Sequence, residues 1–97
     1  MKDFTKDSFL GGGIKIWQPK KGYRAGIDPI LLAASVNVSE GQKVLDLGCG
    51  VGTASFAIGY RVGNVELYGI EIQKVFADLA SLNSEENGIE LKLECSN

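Results

Sequence analysis

The sequence predicts an α/β fold: a partial parallel sheet of three strands with flanking helices, preceded by a small β-hairpin and a short helix. Three observations predict it. Apolar runs at residues 43–47 and 65–72 have the length of strands, and residues 89–94 alternate apolar and polar side chains as a strand does. Helix-compatible segments separate these runs, so right-handed parallel crossovers join consecutive strands. Three glycines at alternate positions, from Gly48 to Gly52, follow the first run where a helix is predicted to begin.

Length and composition are those of one small domain. The chain has 97 residues, of which 44% are hydrophobic and 23% charged, ordinary values for a globular protein. No apolar run reaches the ~18 residues of a membrane-spanning helix, and no signal peptide is evident. The two cysteines, Cys49 and Cys95, form neither a disulfide nor a metal pattern, so we expect a reducing cytoplasm. The absence of histidine excludes imidazole base catalysis and His-ligated metals.

Charge is distributed unevenly along the chain. Residues 1–24 carry six basic and two acidic side chains, a net charge of +4. Residues 25–97 carry four basic and ten acidic side chains, a net charge of −6. The basic amino-terminal segment is suited to the phosphates of a nucleic acid. The alternative is a solvated hairpin tip whose charges have no partner.

The first predicted domain, residues 1–27, consists of a basic lead-in and a hairpin. Residues 1–13 are polar and end in three glycines, which indicates a flexible or loosely packed lead-in. Ile14–Trp17 alternates apolar and polar side chains and is predicted to be a strand. Turn residues at 18–22 then lead to a returning strand that starts at Tyr23–Arg24.

The second predicted domain, residues 28–97, alternates between helix and strand. Asp28–Pro29 signals a helix start, because a carboxylate can cap free N–H groups and proline is tolerated in the first turn. In chain order the predicted elements are a helix at 30–36, a buried strand at 43–47, a helix at 53–62, a strand at 65–72, a helix to about residue 86 and a strand at 89–94.

The glycine loop has the chemistry of a site for a nucleoside-bearing cofactor. Glycines allow positive φ angles and let a ligand approach the main chain, because they lack a Cβ atom. Glu71, nineteen residues past Gly52 and at the end of the next strand, can accept two hydrogen bonds from a ribose diol. The alternative is a tight strand-to-helix turn that binds no ligand.

Two residues distinguish between cofactor classes. The dinucleotide pattern G-x-G-x-x-G would place a glycine at position 53, which is occupied by Thr53. Asp46 lies just ahead of the loop, where its charge repels a pyrophosphate and attracts the cationic groups of S-adenosylmethionine (SAM). The sequence therefore favours SAM over the cofactor of a nucleotide-dependent oxidoreductase. We interpret Cys49 as a small filler, since no base is evident beside it.

The sequence V-L-D-L-G-C-G-V-G-T at residues 44–53 resembles the first motif of class I SAM-dependent methyltransferases, which have a Rossmann-like fold. Residues 12–34 resemble the amino-terminal region of bacterial tRNA1(Val) (adenine-37-N6)-methyltransferases and related small-domain methyltransferases. In that family a basic hairpin precedes a helix that covers the cofactor. Residues 69–73 also match, as do Ala77, Ala80, Asn83 and Asn87. The resemblance covers residues 10–94, the front part of the family's domain.

The resemblance implies a metal-independent methyl transfer from SAM to N6 of adenine in tRNA. It places Asp46, Gly48 and Gly50 at the methionine end of SAM. Glu71 would bind the ribose, and Ile72 would pack on the adenine. Arg24 and Asp28 would approach from the lid side, with a surface charge and a helix cap as their alternatives. The candidate cofactor-binding residues are Arg24, Asp28, Asp46, Gly48, Cys49, Gly50, Gly52, Glu71 and Ile72.

The family's Asn-Pro-Pro-aromatic motif, which holds the flipped acceptor adenine, has no counterpart in these 97 residues. Ser96 or Asn97 is a weak candidate for contacting the cofactor's adenine. We therefore expect no methyl transfer by this chain alone, which leaves a catalytically incompetent SAM-binding or structural fragment as an alternative. Methyltransferases of the same group that act on rRNA or protein are another. The exposed edges of the predicted sheet could pair with a second copy of the chain, so a homo-oligomer is an open alternative.

Overall fold

The computed structural model of the chain describes residues 3–22 and 26–96. These residues form a two-stranded antiparallel sheet, a three-stranded parallel sheet and three α-helices. None of the described helices has the length and apolar character needed to cross a membrane. The elements in chain order are β1 (Phe4–Phe9), β2 (Ile14–Pro19), α1 (Ile27–Ser35), β3 (Lys43–Leu47), α2 (Thr53–Val62), β4 (Glu66–Glu71), α3 (Lys74–Asn87) and β5 (Leu91–Cys95).

The parallel sheet has the strand order β3-β4-β5, which confirms the predicted fold class. Asp46 pairs with Gly69, and Leu47 with Ile70, so both strands end at the same edge of the sheet. Side chains alternate between the faces of a strand, and this register therefore puts Asp46 and Glu71 on one face. Leu67 lies on that face and is buried in the core beneath α2 and α3.

The opposite face of the sheet is exposed at β3. Residues 43–47 form the predicted strand, but the expectation that this strand is buried is wrong. Leu45 is 58% exposed and Leu47 is 72% exposed. The helices that pack on the sheet, α2 and α3, lie on the face of Asp46 and Leu67, so the apolar run of β3 is covered on one side only within the described part of the chain.

The hairpin differs from the prediction in its strands. Phe4–Phe9, expected to be a loose lead-in, is a strand that pairs antiparallel with Ile14–Pro19. The glycines between them form the turn, with φ angles of 64° at Gly11 and 88° at Gly12. Such a turn requires positive φ, which glycine adopts at no steric cost, so these residues close a hairpin instead of forming a linker. The returning strand predicted at Tyr23–Arg24 lies outside the described residues.

The hairpin packs into the core of the protein. Ile14 and Ile16, on the inner face of β2, are both 0% exposed and belong to the same core cluster as Phe56 and Leu79. Burying two such side chains contributes about 3–6 kcal/mol of transfer free energy. The hairpin and the α/β layers therefore share one hydrophobic core, while the division into domains at residue 27 stays a prediction.

Helix α1 begins one residue before the predicted cap. The N-cap is Gly26, which has no side chain, and Asp28 is the second residue of the helix, so the prediction that Asp28 is its cap is wrong. Asp28 lies in the first turn, where its charge is still favoured by the helix dipole. Arg61 of α2 binds the carboxyl-terminal end of α1, because its Nη2 donates to the carbonyls of Ala33 at 3.1 Å and Val36 at 2.8 Å.

Candidate functional site

The three glycines of the loop each adopt a left-handed backbone. The φ angles are 69° at Gly48, 59° at Gly50 and 94° at Gly52. A Cβ atom at Gly52 would lie 2.4 Å from Cε2 of Phe56, so this position excludes a side chain by contact as well as by conformation. At Gly48 and Gly50 a Cβ atom would meet no atom within 4 Å. The backbone there is open to an approaching ligand.

The loop is fastened to the carboxyl end of β4. The amides of Gly48 and Cys49 both donate to the carbonyl of Ile70, at 2.8 and 3.1 Å. The amide of Gly50 donates to Oε1 of Glu71 at 2.8 Å, and the amide of Gln73 donates to Oε2 of the same carboxylate at 2.8 Å. An ionised carboxylate has about four lone-pair positions, so each Glu71 oxygen retains one for a further donor.

A cavity of about 520 Å³ opens above this loop. Small-molecule sites in proteins commonly measure about 300–1,000 Å³. The lining residues come from the glycine loop, from the carboxyl ends of β3 and β4 and from the amino-terminal parts of the three described helices. They are Asp28, Pro29, Leu32, Asp46, Gly48, Cys49, Gly50, Val51, Thr53, Ala54, Glu71, Gln73 and Phe76.

Most of the predicted site residues meet in this cavity. Gly52 is absent from the lining because it forms the turn into α2. Ile72 is also absent and is 62% exposed, and Arg24 lies outside the described residues. That these residues bind a cofactor stays a prediction. The predicted residues that line the cavity are Asp28, Asp46, Gly48, Cys49, Gly50 and Glu71.

Sequence reasoning missed a polar group and an apolar wall of the cavity. Thr53, noticed only as a missing glycine, is 3% exposed, and its Oγ1 has no hydrogen-bond partner. A buried hydroxyl without a partner among the described residues is unusual in a folded protein. Leu32 and Phe76 lie one turn into α1 and α3, and helical spacing from Asp28 and Gln73 would have found them.

The cavity is acidic. Asp28, Asp46 and Glu71 line it, and no lysine or arginine does so among the described residues. Burial raises the pKa of Asp46 above its ordinary value. The Ser55 hydroxyl, which donates to Oδ2 of Asp46 at 3.0 Å, lowers this pKa in part, and the charge of Glu71 raises it further. An added cation would relieve this repulsion.

Cys49 has the environment of a packing residue. Burial raises the pKa of its thiol to about 12, with contributions from the charges of Asp46 and Glu71. The thiol is therefore protonated, and poorly nucleophilic, at neutral pH. Its Sγ packs against Gly69, where a Cβ atom would lie only 2.9 Å from the sulfur. The geometry agrees with the interpretation of Cys49 as a small filler.

Comparison with known proteins identifies the family. Residues 38–97, more than half of the chain, match the family model described as "Methyltransferase domain". The chain belongs to this methyltransferase family.

A tRNA1(Val) (adenine(37)-N6)-methyltransferase from Flavobacteriaceae bacterium (strain 3519-10) is 31% identical over 83 residues, which are 86% of this chain and 34% of the relative. The enzyme of the same name from Yersinia pestis (strain Pestoides F) is 38% identical over 63 residues, 64% of this chain and 25% of the relative.

Solved structures show the same fold. One is the Pyrococcus abyssi tRNA (uracil-54, C5)-methyltransferase in complex with S-adenosyl-L-homocysteine (SAH), with a TM-score of 0.75 at 21% identity. The match covers 98% of this chain and 24% of the Pyrococcus chain. A SAM-dependent methyltransferase from Geobacter sulfurreducens, also with SAH, matches 70% of this chain and 28% of its own, with a TM-score of 0.62 at 27% identity. The predicted Rossmann-like methyltransferase fold is confirmed, and the chain spans about a third or less of these relatives.

The raised pKa of Asp46 predicts that Asp46→Asn stabilises the unliganded methyltransferase domain at neutral pH. The folded chain keeps the Asp46 proton to a higher pH than the unfolded chain does, so stability falls as the pH rises from the ordinary carboxyl value of 3.8 through the raised folded value. Asparagine does not ionise, and its Oδ1 can still accept from Ser55. We expect a higher Tm at pH 7 that converges with the wild-type Tm below that window.

Thermal unfolding followed by circular dichroism across pH measures this difference. Glu40→Gln, which removes an exposed carboxylate from the turn before β3, is the matched control and should leave the Tm unchanged. An Asp46→Asn variant as stable as the wild type at pH 7 would contradict the prediction, as would a gain that persists in acid.

Proposed function

We propose that this chain binds SAM in the cavity above the glycine loop, as the cofactor-binding portion of a SAM-dependent methyltransferase. The acidic cavity is the observation that carries the proposal. Its three carboxylates are suited to the sulfonium and ammonium groups of SAM and would repel the pyrophosphate of a dinucleotide. Membership in the methyltransferase family supports the same cofactor.

Each end of SAM has a proposed position. Asp46 and the backbone of Gly48 and Gly50 hold the methionine end, beside the unpartnered hydroxyl of Thr53. The two free lone pairs of Glu71 accept from the ribose diol. Ile72, exposed and next in sequence to Glu71, is available to pack on the adenine. Asp28 approaches from α1, and Arg24 remains a proposed contact from the lid side.

The proposed reaction is methylation of N6 of an adenine in tRNA. The nitrogen lone pair attacks the methyl carbon, the carbon–sulfur bond breaks, SAH leaves as a neutral thioether, and the nitrogen loses a proton to solvent. An exocyclic amine conjugated to its ring is a poor nucleophile, so positioning supplies much of the rate. The names of the curated relatives support adenine in tRNA. An rRNA or protein acceptor is the alternative.

We propose that the basic hairpin contacts the RNA and that the protein acts in the cytoplasm, where tRNA is modified. Lys15, Lys20 and Lys21 are exposed and available to phosphates. Lys6 is engaged elsewhere, because its Nζ lies 2.6 Å from Oε1 of Glu86 and 5.5 Å from the centroid of the Trp17 ring. The proposed RNA contact therefore involves fewer basic side chains than the net charge of residues 1–24 suggests.

Titration calorimetry with SAH and with NAD tests the cofactor. We expect SAH to bind and NAD to give no heat of binding. Glu71→Ala should weaken SAH binding at least about tenfold, which is about 1.4 kcal/mol, because it removes the ribose acceptor. Glu90→Ala, at an exposed carboxylate outside the cavity, is the control and should bind as the wild type does. Binding of NAD without SAH would overturn the proposal.

Binding of tRNA and transfer of label test the acceptor. The double variant Lys20→Glu/Lys21→Glu should bind tRNA at least about tenfold more weakly and show a shallower salt dependence, because fewer counterions are released. The control Lys43→Glu/Lys74→Glu makes the same charge change away from the hairpin and should have a smaller effect. With methyl-labelled SAM we expect SAH binding without transfer to any acceptor by this chain alone. Label in N6-methyladenine of tRNA would contradict that expectation and support the proposed acceptor, and label in rRNA or protein would support the alternative.

We also propose that two copies associate through the open edge and exposed face of β3. Leu45 and Leu47 are apolar and largely exposed there, and adjacent exposed apolar side chains mark interaction sites. Leu45→Lys/Leu47→Lys should yield a monomer at concentrations where the wild type forms a dimer, with SAH binding as the check on folding. Sedimentation velocity over a range of concentrations measures this. A wild type that is monomeric throughout would contradict the proposal.

A further inference from the structure

Two asparagines of α3 pair with the outer edge of the hairpin. Oδ1 of Asn83 accepts from the amide of Trp17 at 2.7 Å, and its Nδ2 donates to the Trp17 carbonyl at 3.0 Å. Asn87 makes the same two bonds with Lys15, at 2.8 and 2.7 Å. Four residues of helix rise about 6 Å, and two residues of strand about 6.6 Å, so the two side chains match alternate residues of β2.

Asn83 and Asn87 differ in their third contact, which for Asn87 is a hydrogen bond from its Nδ2 to the carbonyl of Asn83 at 2.7 Å, within α3. Asn83 instead reaches the glycine loop. Its Nδ2 donates a second hydrogen bond, at 2.9 Å, to the carbonyl of Val51 in the glycine loop. Asn83 is 0% exposed and Val51 is 5% exposed, so this bond is shielded from solvent. Both amide hydrogens and the oxygen of Asn83 are used. One side chain thus joins the hairpin to the loop, through part-buried hydrogen bonds to Trp17 and a buried one to Val51.

The glycine loop needs a hydrogen bond of this kind, because its glycines alone allow the backbone several conformations. Val51 lies between two glycines with positive φ, and glycine loses more backbone freedom on ordering than any other residue. Glu71 holds the amide of Gly50 from the side of the sheet. Asn83 holds the next carbonyl from the side of α3. The loop is therefore fixed between two buried side chains, one of which also binds the hairpin.

We propose that Asn83 is a positioning residue that couples docking of the hairpin to the shape of the glycine loop. Displacement of β2 withdraws two partners from Asn83 and frees its amide to rotate away from Val51. Displacement of the loop frees Asn83 in the same way, so the coupling acts in both directions. A consequence, which rests on the proposed function, is that hairpin docking raises the affinity for SAM.

Amide hydrogen exchange in the unliganded protein tests the coupling, with Asn83→Ala and Asn87→Ala as matched variants. Each removes two bonds to β2; Asn83→Ala also removes the bond to the loop, and Asn87→Ala also removes a bond to the carbonyl of Asn83 within α3. We expect faster exchange at the β2 amides in both variants. At Gly50 and Gly52 we expect an acceleration of at least about tenfold in Asn83→Ala and a smaller acceleration in Asn87→Ala, which loosens β2 but keeps the bond from Asn83 to Val51. Asn83→Ser replaces Asn83→Ala if the alanine variant does not fold.

Titration of the same variants with SAH separates the coupling from the proposed function. The coupling predicts at least about tenfold weaker binding in Asn83→Ala and a smaller loss of affinity in Asn87→Ala. It also predicts that SAH slows exchange of the Trp17 amide in the wild type. If SAH does not bind the wild type but loop exchange is faster than wild type in both variants, the proposed function fails and the coupling stands. Wild-type loop exchange in Asn87→Ala despite faster exchange at the β2 amides, with SAH bound by the wild type, overturns the coupling alone.

Discussion

The glycine loop takes its shape from the carboxyl end of β4. The carbonyl of Ile70 accepts hydrogen bonds from two successive loop amides, and the carboxylate of Glu71 accepts the next. These partners are in reach only because Leu47 pairs with Ile70. A slip of one residue would turn Glu71 to the opposite face of the sheet, because side chains alternate along a strand. The register of β3 on β4 is therefore the constraint on which the cavity depends.

The same register creates an electrostatic conflict that a bound cation would relieve. It places Asp46 and Glu71 on one face of the sheet, where burial and mutual repulsion raise the pKa of Asp46. A fold selected for stability alone would replace one of them, and perturbed carboxyl groups in a cavity are typical of functional sites. Thr53, which also lines this cavity, has a buried hydroxyl without a partner among the described residues. The raised pKa of Asp46 is intelligible if a cationic ligand occupies the space.

Sequence patterns within short segments predicted the strands and helices of the α/β layers. They failed where the structure depends on contacts between residues that are far apart in the chain. Periodicity and the glycine loop predicted β3 and α2 with the bounds that the structure shows. The strand at Phe4–Phe9 has little apolar alternation, and its pairing with β2 is what makes it a strand. The site shows the same limit. The glycine loop and its carboxylates could be recognised because they follow one another along the chain. The hydrogen bonds of Asn83 could not be predicted in this way, because they join residues up to 66 positions apart.

The apolar continuity of β3 predicted a strand covered on both faces, as parallel strands generally are. Within the described residues α2 and α3 cover one face, and Leu45 and Leu47 remain exposed on the other. A partner that covered these leucines would bind the folded strand and not the unfolded one, and would stabilise its pairing with β4. Since the glycine loop is fastened to that pairing, association on the open face and order in the cavity on the opposite face are energetically linked.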